Sequence, residues 1–269
     1  MDILIKKYTK SRTEYIEEAV EFVREHFDDR KQPVFTAFSG GKDSICLAEI
    51  MRLSGVPYQL YYSFTGIDPP QVIDNIRKNY SDCIFCRPKT NFWKGIHANH
   101  RPPSIIIRWC CRVLKEEPSK SIPHTIQVDG IRTEESGKRG KYGRINQNKN
   151  ITHFYPVYHW KKWQVWEFIK SQNLSYPKIY DWGFNRVGCV ICPFHSGRQA
   201  VLHNMYRRYW PKMFYKFERE VKQLWEHKNF EGHIMADPSA EEYLFKWYRD
   251  SMTPFFKGKK VNITDFFGH

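Results

Sequence analysis

Phe35-Thr36-Ala37-Phe38-Ser39-Gly40-Gly41-Lys42-Asp43-Ser44-Ile45-Cys46-Leu47-Ala48-Glu49-Ile50 is the stretch that decides the fold of this chain. The apolar run over 33–38 has strand character, a serine and glycine loop follows, and a helix is predicted over 43–54. Strand, glycine loop and helix in this order form a phosphate site, because glycines let backbone N–H groups approach an anion at a helix start. The spacing of a Walker A loop is absent, and an ordinary turn is the alternative.

Charged and hydroxyl side chains add chemistry to this loop. Lys42 supplies a mobile positive charge. Asp43 and Ser44 lie in the first predicted helical turn, where a carboxylate and a hydroxyl cap N–H groups or hold a metal-bound phosphate. We therefore predict that residues 39–44 bind a phosphate group.

Strand-like and helix-like segments alternate around the loop. This alternation predicts an α/β fold with a doubly wound, mostly parallel sheet of five or six strands, whose ligand binds at the carboxyl ends of the strands. Further strands are predicted over 57–64 and 123–131, and further helices over 13–26, 70–80, 91–98 and 109–120.

The second half of the chain is more helical. A helix is predicted over 161–172, and its expected buried side consists of Trp163, Trp166, Phe168 and Ile169. The polar, basic segment 137–150 predicts a mobile loop or lid.

A change in character follows near residue 197. The pattern is helical from there onward, with an interruption near Gly232. We predict a domain over 1–196 and a basic, aromatic, helical C-terminal region over 197–269.

Composition favours a polyanionic partner. The chain has 269 residues, a formal net charge of +14 and a pI of about 9.4, which favours nucleic acid first and anionic nucleotides second. A merely basic surface is the alternative. No apolar run reaches the length of a membrane span, and residues 1–7 do not resemble a signal peptide, so we expect a cytoplasmic protein without a membrane partner.

The seven cysteines fall mainly into one adjacent pair and two CxxC pairs, which argues for metal or redox chemistry rather than a disulfide framework. A CxxC turn offers two sulfurs to one centre. Adjacent cysteines diverge, and a cubane tolerates this better than a single ion. We predict a [4Fe–4S] cluster on Cys110, Cys111, Cys189 and Cys192; structural zinc and four free buried thiols are the alternatives.

The remaining cysteines are less informative. Cys83 and Cys86 are a redox pair, alternative metal ligands or plain buried residues, and these interpretations stay open. Cys46 is expected in the core of the first helix. His195 follows the second CxxC turn and is a weak candidate near the cluster.

Two further segments suggest anion binding. Gly130-Ile131-Arg132-Thr133-Glu134-Glu135-Ser136 follows a predicted strand; Arg132 suits a phosphate or sulfate, with a structural salt bridge as the alternative. The interleaved aromatic and basic residues over 206–219 suit nucleic-acid stacking, and equally a helix with a buried aromatic stripe.

Together these motifs resemble the PAPS reductase family of the adenine-nucleotide alpha-hydrolase, or PP-loop ATP pyrophosphatase, superfamily. The resemblance covers roughly residues 30–200. Residues 39–44 are similar to the family's SGGKDS pyrophosphate loop, and 130–136 to its GIR-x-x-ES motif. The family's TG-x-x-x-P turn resembles Thr65-Gly66-Ile67-Asp68-Pro69. The CC…CxxC cluster ligands of APS reductases resemble Trp109-Cys110-Cys111-Arg112 with Lys115, Pro118, Gly188-Cys189 and Cys192.

The resemblance implies an adenine-nucleotide site. Its expected residues are Ser39, Gly40, Gly41, Lys42, Asp43, Ser44, Thr65, Gly66, Gly130, Arg132, Glu135 and Ser136. Among these, Lys42, Asp43 and Arg132 are expected to act in catalysis, with Mg²⁺ bridging the ATP phosphates through Asp43.

Two departures favour one branch of the family. The resemblance predicts a catalytic cysteine in a C-terminal Glu-Cys-Gly-like motif, but no cysteine follows Cys192 in this sequence. APS and PAPS reductases usually have a degenerate phosphate loop, whereas ATP pyrophosphatases carry the full SGGKDS. Both features favour the sulfurtransferase branch, typified by DndC-like and SspD-like DNA phosphorothioation proteins and cluster-containing tRNA thiolases.

The resulting hypothesis is an ATP-dependent sulfurtransferase that adenylylates an acceptor, DNA or tRNA, with sulfur from a donor such as a cysteine desulfurase displacing AMP. The first alternative is an APS or PAPS reductase that forms sulfite, using Cys83 and Cys86 or an external donor such as thioredoxin or ferredoxin. The second is a non-catalytic, cluster-bearing nucleic-acid module.

Overall fold

A computed structural model describes the backbone of residues 2–137, 139–194, 200–230 and 238–256, and side chains within 13–137, 139–194, 204–227 and 238–248. Two compact units interleave along the chain. The first consists of Met1–Ser63, Pro70–Cys86 and Ser119–Val187; the second consists of Phe64–Pro69, Arg87–Pro118 and the described part of Gly188–His269. The predicted division into 1–196 and 197–269 stays a prediction.

The first unit contains a six-stranded sheet, which confirms the predicted α/β class. The strands in chain order are β1 (Val34–Ala37), β2 (Tyr58–Ser63), β3 (Ile84–Cys86), β4 (Ile126–Val128), β5 (Ile145–Asn148) and β6 (Ile151–Phe154). Their order in the sheet is β3-β2-β1-β4-β6-β5, and every neighbouring pair is parallel except β5 with β6. Because β1 is interior, its residues Val34, Phe35 and Thr36 are all buried.

Helices pack beside this sheet within the same unit. They are α1 (Asp2–Phe27), α2 (Lys42–Ser54), α3 (Pro70–Asn79) and, later in the chain, α7 (Lys162–Ser171). Both α1 and α7 contact α2, whose residues Ile45, Leu47 and Ile50 are fully buried. The central position of α2 explains why the opening stretch is so apolar after its first turn.

The buried side predicted for α7 was partly wrong. Val165, Phe168 and Ile169 are buried, at the spacing of one helical stripe, whereas Trp163 is 57% exposed. At about 100° per residue, Trp163 falls on the side opposite Val165. Trp166 is half-buried and meets Tyr180 edge-on at 5.1 Å between ring centroids.

The predicted mobile loop over 137–150 is also corrected. It contains a 3₁₀ turn, Arg139–Lys141, and strand β5, which pairs with β6 in the register Ile145↔Phe154. Polar residues suit this position because β5 is an edge strand, held by backbone hydrogen bonds and exposed to water. Lys138 lies outside the described residues.

The second unit is helical. The short helix α4 (Phe92–Ala98) precedes a continuous helical run made of α5 (Trp109–Cys111), a π-helical turn (Arg112–Glu116) and α6 (Glu117–Lys120). Three longer helices are α8 (Ala200–Tyr209), α9 (Pro211–Phe230) and α10 (Ala240–Phe256). Gly95 lies against Trp109, since a Cβ at Gly95 would be 2.4 Å from the Trp109 ring.

A buried aromatic stripe forms the core of this unit. Tyr206, Phe214, Phe217 and Tyr248 are almost fully buried, while Tyr215 is exposed. The helical interpretation of residues 206–219 is therefore confirmed, and the interruption predicted near Gly232 lies outside the described residues. Within the described ranges, no helix has the length and apolar character needed to cross a membrane.

Candidate functional site

The loop between β1 and α2 depends on glycine at position 40. Gly40 has φ +67°, in the left-handed region. A Cβ there would lie 2.7 Å from Ile76 Cδ1 and 2.9 Å from Val72 Cγ1, both on α3. Both the backbone conformation and the space around it therefore exclude a side chain.

Hydroxyl groups fasten the loop. Ser44 Oγ donates to Gly41 O at 2.9 Å, accepts from Ser39 N at 3.2 Å and lies 3.0 Å from Ser39 Oγ. The Tyr180 hydroxyl accepts from the backbone N–H of Lys42 at 2.9 Å. The sequence did not reveal Tyr180, because it lies 138 residues away in the chain.

Asp43 neutralises two cations at the start of α2. Its Oδ2 is 2.8 Å from Lys42 Nζ, and its Oδ1 accepts from Arg132 Nε at 2.6 Å. Lys42 and Arg132 are both about 95% buried. Burial opposes the charge of Arg132, but ion pairing with Asp43 and hydrogen bonding to Glu134 raise its pKa overall. The salt bridges that were the alternative interpretation of Arg132 are thus present.

The segment after β4 is packed onto the first turn of α2. A Cβ on Gly130 would lie 2.9 Å from Asp43 O and 3.1 Å from Ser44 N. No side chain fits between these backbones. Gly130 therefore brings the two predicted anion-binding motifs into direct contact.

Carboxylates hold the rest of this segment. Glu135 Oε2 accepts from Arg132 N at 3.1 Å and pairs with Arg139, while Ser136 Oγ accepts from Arg139 N at 3.2 Å. Glu134 Oε2 accepts from Lys162 N at 2.6 Å and from Arg132 Nη1 at 3.0 Å, and these contacts lower the pKa of Glu134. The first unit thus brings residues 39–44 together with 130–136.

Thr65 and Gly66 belong instead to the second unit, with the four predicted cluster cysteines. Thr65 is buried; its hydroxyl donates to Asp68 Oδ2 at 2.8 Å and accepts from Cys189 Sγ at 3.7 Å. Val190 N donates to Ile67 O at 2.8 Å, which fixes the CxxC turn against the 64–69 segment.

The four thiols are electrostatically linked to one another and to Lys115. Burial raises the pKa of Cys189 and raises that of Cys192 to about 12. A hydrogen bond from Cys110 to Cys111 raises the pKa of the donor and lowers that of the acceptor. The charge on Cys189, followed by those on Asp68 and the other thiols, raises the pKa of Lys115.

This donor set fits an iron–sulfur cluster chemically. Four cysteines from two segments share one region with a lysine that offsets thiolate charge. Among the described residues, no three His, Cys, Asp or Glu side chains are arranged around a single ion. The carboxylate of Asp43 suits Mg²⁺, but both its oxygens contact cations here.

The other cysteines belong to the first unit. Cys83 and Cys86 flank and end β3, and both are buried. Burial raises the pKa of Cys83 to about 12. Cys46 is fully buried and donates to Val165 O at 3.6 Å, so its predicted core position is confirmed. His195 lies outside the described residues.

One polar network was missed by the sequence reasoning. His153 Nδ1 lies 2.7 Å from Asp129 Oδ2, and Gln127 Nε2 donates to Asp129 Oδ1 at 2.6 Å. These residues come from the neighbouring strands β4 and β6 and the end of β4. Only the strand register, which the sequence does not show, brings them together.

A mostly parallel sheet, with a glycine loop leading from β1 into α2, defines an α/β protein of the doubly wound class. The chain belongs to the PAPS reductase family, because the family described as the phosphoadenosine phosphosulfate reductase domain matches residues 33–195. This confirms the resemblance carried by the loop, the 130–136 motif and the cysteines.

The curated relatives of this chain include uncharacterized proteins and adenosine 5'-phosphosulfate reductases. An uncharacterized protein of Methanocaldococcus jannaschii is 29% identical over 91% of this chain and 52% of its own length. The adenosine 5'-phosphosulfate reductase of Staphylococcus saprophyticus is 22% identical over 65% of this chain and 76% of its own length. The chain spans about half the length of the first two curated relatives it matches.

Solved structures support the fold. The PAPS reductase of Candida auris, in a phosphate complex, has a TM-score of 0.53 at 17% identity and covers 64% of this chain and 88% of its own. An FMN adenylyltransferase of Candida glabrata, solved with FMN and an ATP analogue, has a TM-score of 0.50 at 12% identity, covering 67% and 64% of the two chains.

Proposed function

We propose that this protein cleaves ATP between the α and β phosphates, transfers AMP to an acceptor and then replaces that AMP with sulfur. The observation that carries the proposal is the complete 39–44 loop, with its left-handed Gly40, joined through Asp43 to the buried Arg132. A strand, a glycine turn and a helix start with two buried cations suit a pyrophosphate group.

The ion pairs of Asp43 suggest how the site responds to ATP. Lys42 and Arg132 each form an ion pair with Asp43. An incoming pyrophosphate group competes with Asp43 for Lys42, which releases one carboxylate oxygen. Asp43 would then hold Mg²⁺, which supplies further charge neutralisation on the phosphates.

Charge develops on the leaving group during the first step. An acceptor oxygen attacks the α phosphorus, the α–β bridging bond breaks, and pyrophosphate departs with the bonding electrons. Lys42 and Arg132 stabilise this charge, and Arg132 is already oriented by Glu134 and the Trp160 carbonyl, at 3.0 and 3.1 Å. Such preorganised donors contribute a large share of a rate enhancement.

The second step needs a sulfur nucleophile at the oxidation level of sulfide. It attacks the activated acceptor carbon, the carbon–oxygen bond breaks, and AMP leaves. Cys110, Cys111, Cys189 and Cys192 would hold a [4Fe–4S] cluster with one thiolate on each iron, and such a cluster would supply electron transfer. A cysteine desulfurase together with a thiol reductant is the class of donor that this step requires.

Release of pyrophosphate tests the proposal. The wild-type protein, purified without oxygen and incubated with ATP and DNA or tRNA as acceptor, should release pyrophosphate, and Lys42→Ala should lower that rate by about a hundredfold or more. Lys31→Ala removes an exposed charge before β1 and should leave the rate unchanged. Equal rates for Lys42→Ala and wild type would exclude this loop as the site of ATP cleavage.

A second candidate is reduction of adenosine 5'-phosphosulfate to sulfite. The relatives named as adenosine 5'-phosphosulfate reductases favour it, since one aligns with 65% of this chain. In this reaction two electrons from a thiol donor such as thioredoxin reduce the sulfonate, and AMP leaves. Sulfite formed from adenosine 5'-phosphosulfate, without pyrophosphate from ATP, would support this candidate over the first.

A further inference from the structure

A basic cavity of about 280 Å³ lies in the second unit. Arg87, Lys89 and Lys94 line it, together with Phe64 and Thr65. None of its lining residues is acidic. The cavity is larger than a phosphate group and has the composition of an anion site.

Among the described residues, the three cations form no ion pair with a carboxylate. Some other basic residues of this unit do, such as Arg207 with Glu218 and Lys222 with Glu241. Across the side chains that the structure describes, no ion pair includes Arg87, Lys89 or Lys94. Three like charges around one cavity repel each other unless an anion enters it.

The cavity also offers an aromatic surface. The guanidinium of Arg87 lies 5.2 Å from the centroid of the Phe64 ring, which orients the charge along the cavity wall. Cations combined with an aromatic ring are the usual means of binding single-stranded nucleic acid, through phosphate contacts and base stacking.

One residue links the cavity to the cysteines. Thr65 lines the cavity, and its hydroxyl accepts a hydrogen bond from Cys189 Sγ at 3.7 Å. A phosphate held by Arg87, Lys89 and Lys94 would therefore place the adjoining part of its carrier beside the cysteine set. This location suits an acceptor that receives sulfur.

We propose that this cavity binds a backbone phosphate of a single-stranded polynucleotide, which is the acceptor in the reaction proposed above. This inference rests on the proposed function, because only that reaction makes the bound polynucleotide an acceptor. The formal net charge of +14 agrees with a polyanionic ligand. The phosphate of a free nucleotide would make the same contact as a backbone phosphate, and the experiment below distinguishes these two ligands.

The test compares two triple variants that remove equal charge. Arg87→Gln/Lys89→Gln/Lys94→Gln changes the cavity; Arg30→Gln/Lys31→Gln/Lys78→Gln changes exposed residues of the first unit. Fluorescence anisotropy measures the affinity of labelled single-stranded DNA and RNA oligonucleotides at several salt concentrations. Fluorescent ATP binding without oligonucleotide is measured in parallel, and pyrophosphate release from ATP by the wild type is measured with the oligonucleotide present.

The cavity variant should bind oligonucleotides about tenfold more weakly or worse. Its slope of log affinity against log salt should become shallower by about 0.7, since each phosphate contact on a single strand contributes roughly 0.7. The control variant should show a clearly smaller loss. ATP affinity should stay unchanged in both variants.

Three outcomes would overturn the inference: no oligonucleotide binding by the wild type, equal losses in both variants, or weaker ATP binding with intact oligonucleotide binding in the cavity variant. The proposed function fails separately. If oligonucleotide binding depends on the cavity but ATP yields no pyrophosphate, only the reaction is wrong. If pyrophosphate forms without any dependence of oligonucleotide binding on the cavity, only the cavity assignment is wrong.

Discussion

Asp43 is the residue on which the charge balance of the loop depends. It contacts Lys42 through one oxygen and Arg132 through the other, so two buried cations share one carboxylate. The sequence placed Lys42 and Asp43 at a helix start and Arg132 after a predicted strand, but it did not reveal this pairing. Arg132 is 89 residues from Asp43, and only the packing of β4 beside β1 brings them together.

Gly40 gives the sharpest prediction at this scale. Gly40→Ala should cost about 1 kcal/mol for the left-handed backbone and roughly 1–3 kcal/mol more for the clash with Ile76 and Val72. Gly55→Ala is the matched control, because Gly55 has φ +77° but open space around it. Urea unfolding of both variants measures the difference, and equal losses would show that α3 does not crowd the loop.

The raised pKa of the Cys83 thiol predicts that the free energy of unfolding depends on pH. Its folded pKa of about 12 lies above the reference value of 9.0, so the unfolded thiol ionises first as pH rises. Its contribution is therefore complete below pH 9 and declines above it, by about 1.4 kcal/mol between pH 8 and pH 10. Urea unfolding should show a smaller decline for Cys83→Ala; an identical decline would mean that Cys83 is not shielded from water.

The contact between the end of β4 and the start of α2 is the decisive junction between elements. It depends on Gly130, because a Cβ there would lie 2.9 Å from Asp43 O and 3.1 Å from Ser44 N. Gly130→Ala should push this junction apart and weaken ATP binding about tenfold or more. Gly137→Ala, in open space, should have no such effect. Calorimetric titration with ATP measures both, and an unchanged affinity for Gly130→Ala would contradict the role of the junction.

Elements differ in how well the sequence predicts them. Strand β1 and helix α2 have strong local signals, an apolar run and a glycine loop, and both were predicted within one residue. The edge strand β5 has none, because its polar residues gain structure from backbone pairing with β6. Trp163 was assigned to the buried side of α7, although its helical spacing from Phe168 and Ile169 excludes it.

Parts of the candidate site could also be predicted from the sequence, and other parts could not. The 39–44 loop and the four cysteines were found from the sequence because each is a compact motif. The contact of Tyr180 with the backbone N–H of Lys42 could not be predicted in this way, and neither could the basic cavity lined by Arg87. Their residues belong to no sequence motif and come together only in the folded chain. Long-range contacts of this kind carry no local pattern.

Over the whole molecule, the proposed phosphate loop lies in the first compact unit, and the four predicted cluster cysteines lie in the second. Protein purified without oxygen should contain about four irons per chain, and Cys189→Ala should lose most of that iron. Cys83→Ala, outside the predicted ligand set, should keep it. Metal analysis showing a single zinc per chain would contradict the cluster assignment.

Product analysis is the most direct test of the central claim. The wild-type protein is incubated in parallel with ATP and with adenosine 5'-phosphosulfate, each with a cysteine desulfurase as sulfur donor, a thiol reductant and single-stranded oligonucleotides. Equal amounts of pyrophosphate and AMP from ATP, without sulfite from adenosine 5'-phosphosulfate, are the predicted result. Sulfite from adenosine 5'-phosphosulfate, without pyrophosphate from ATP, would contradict it.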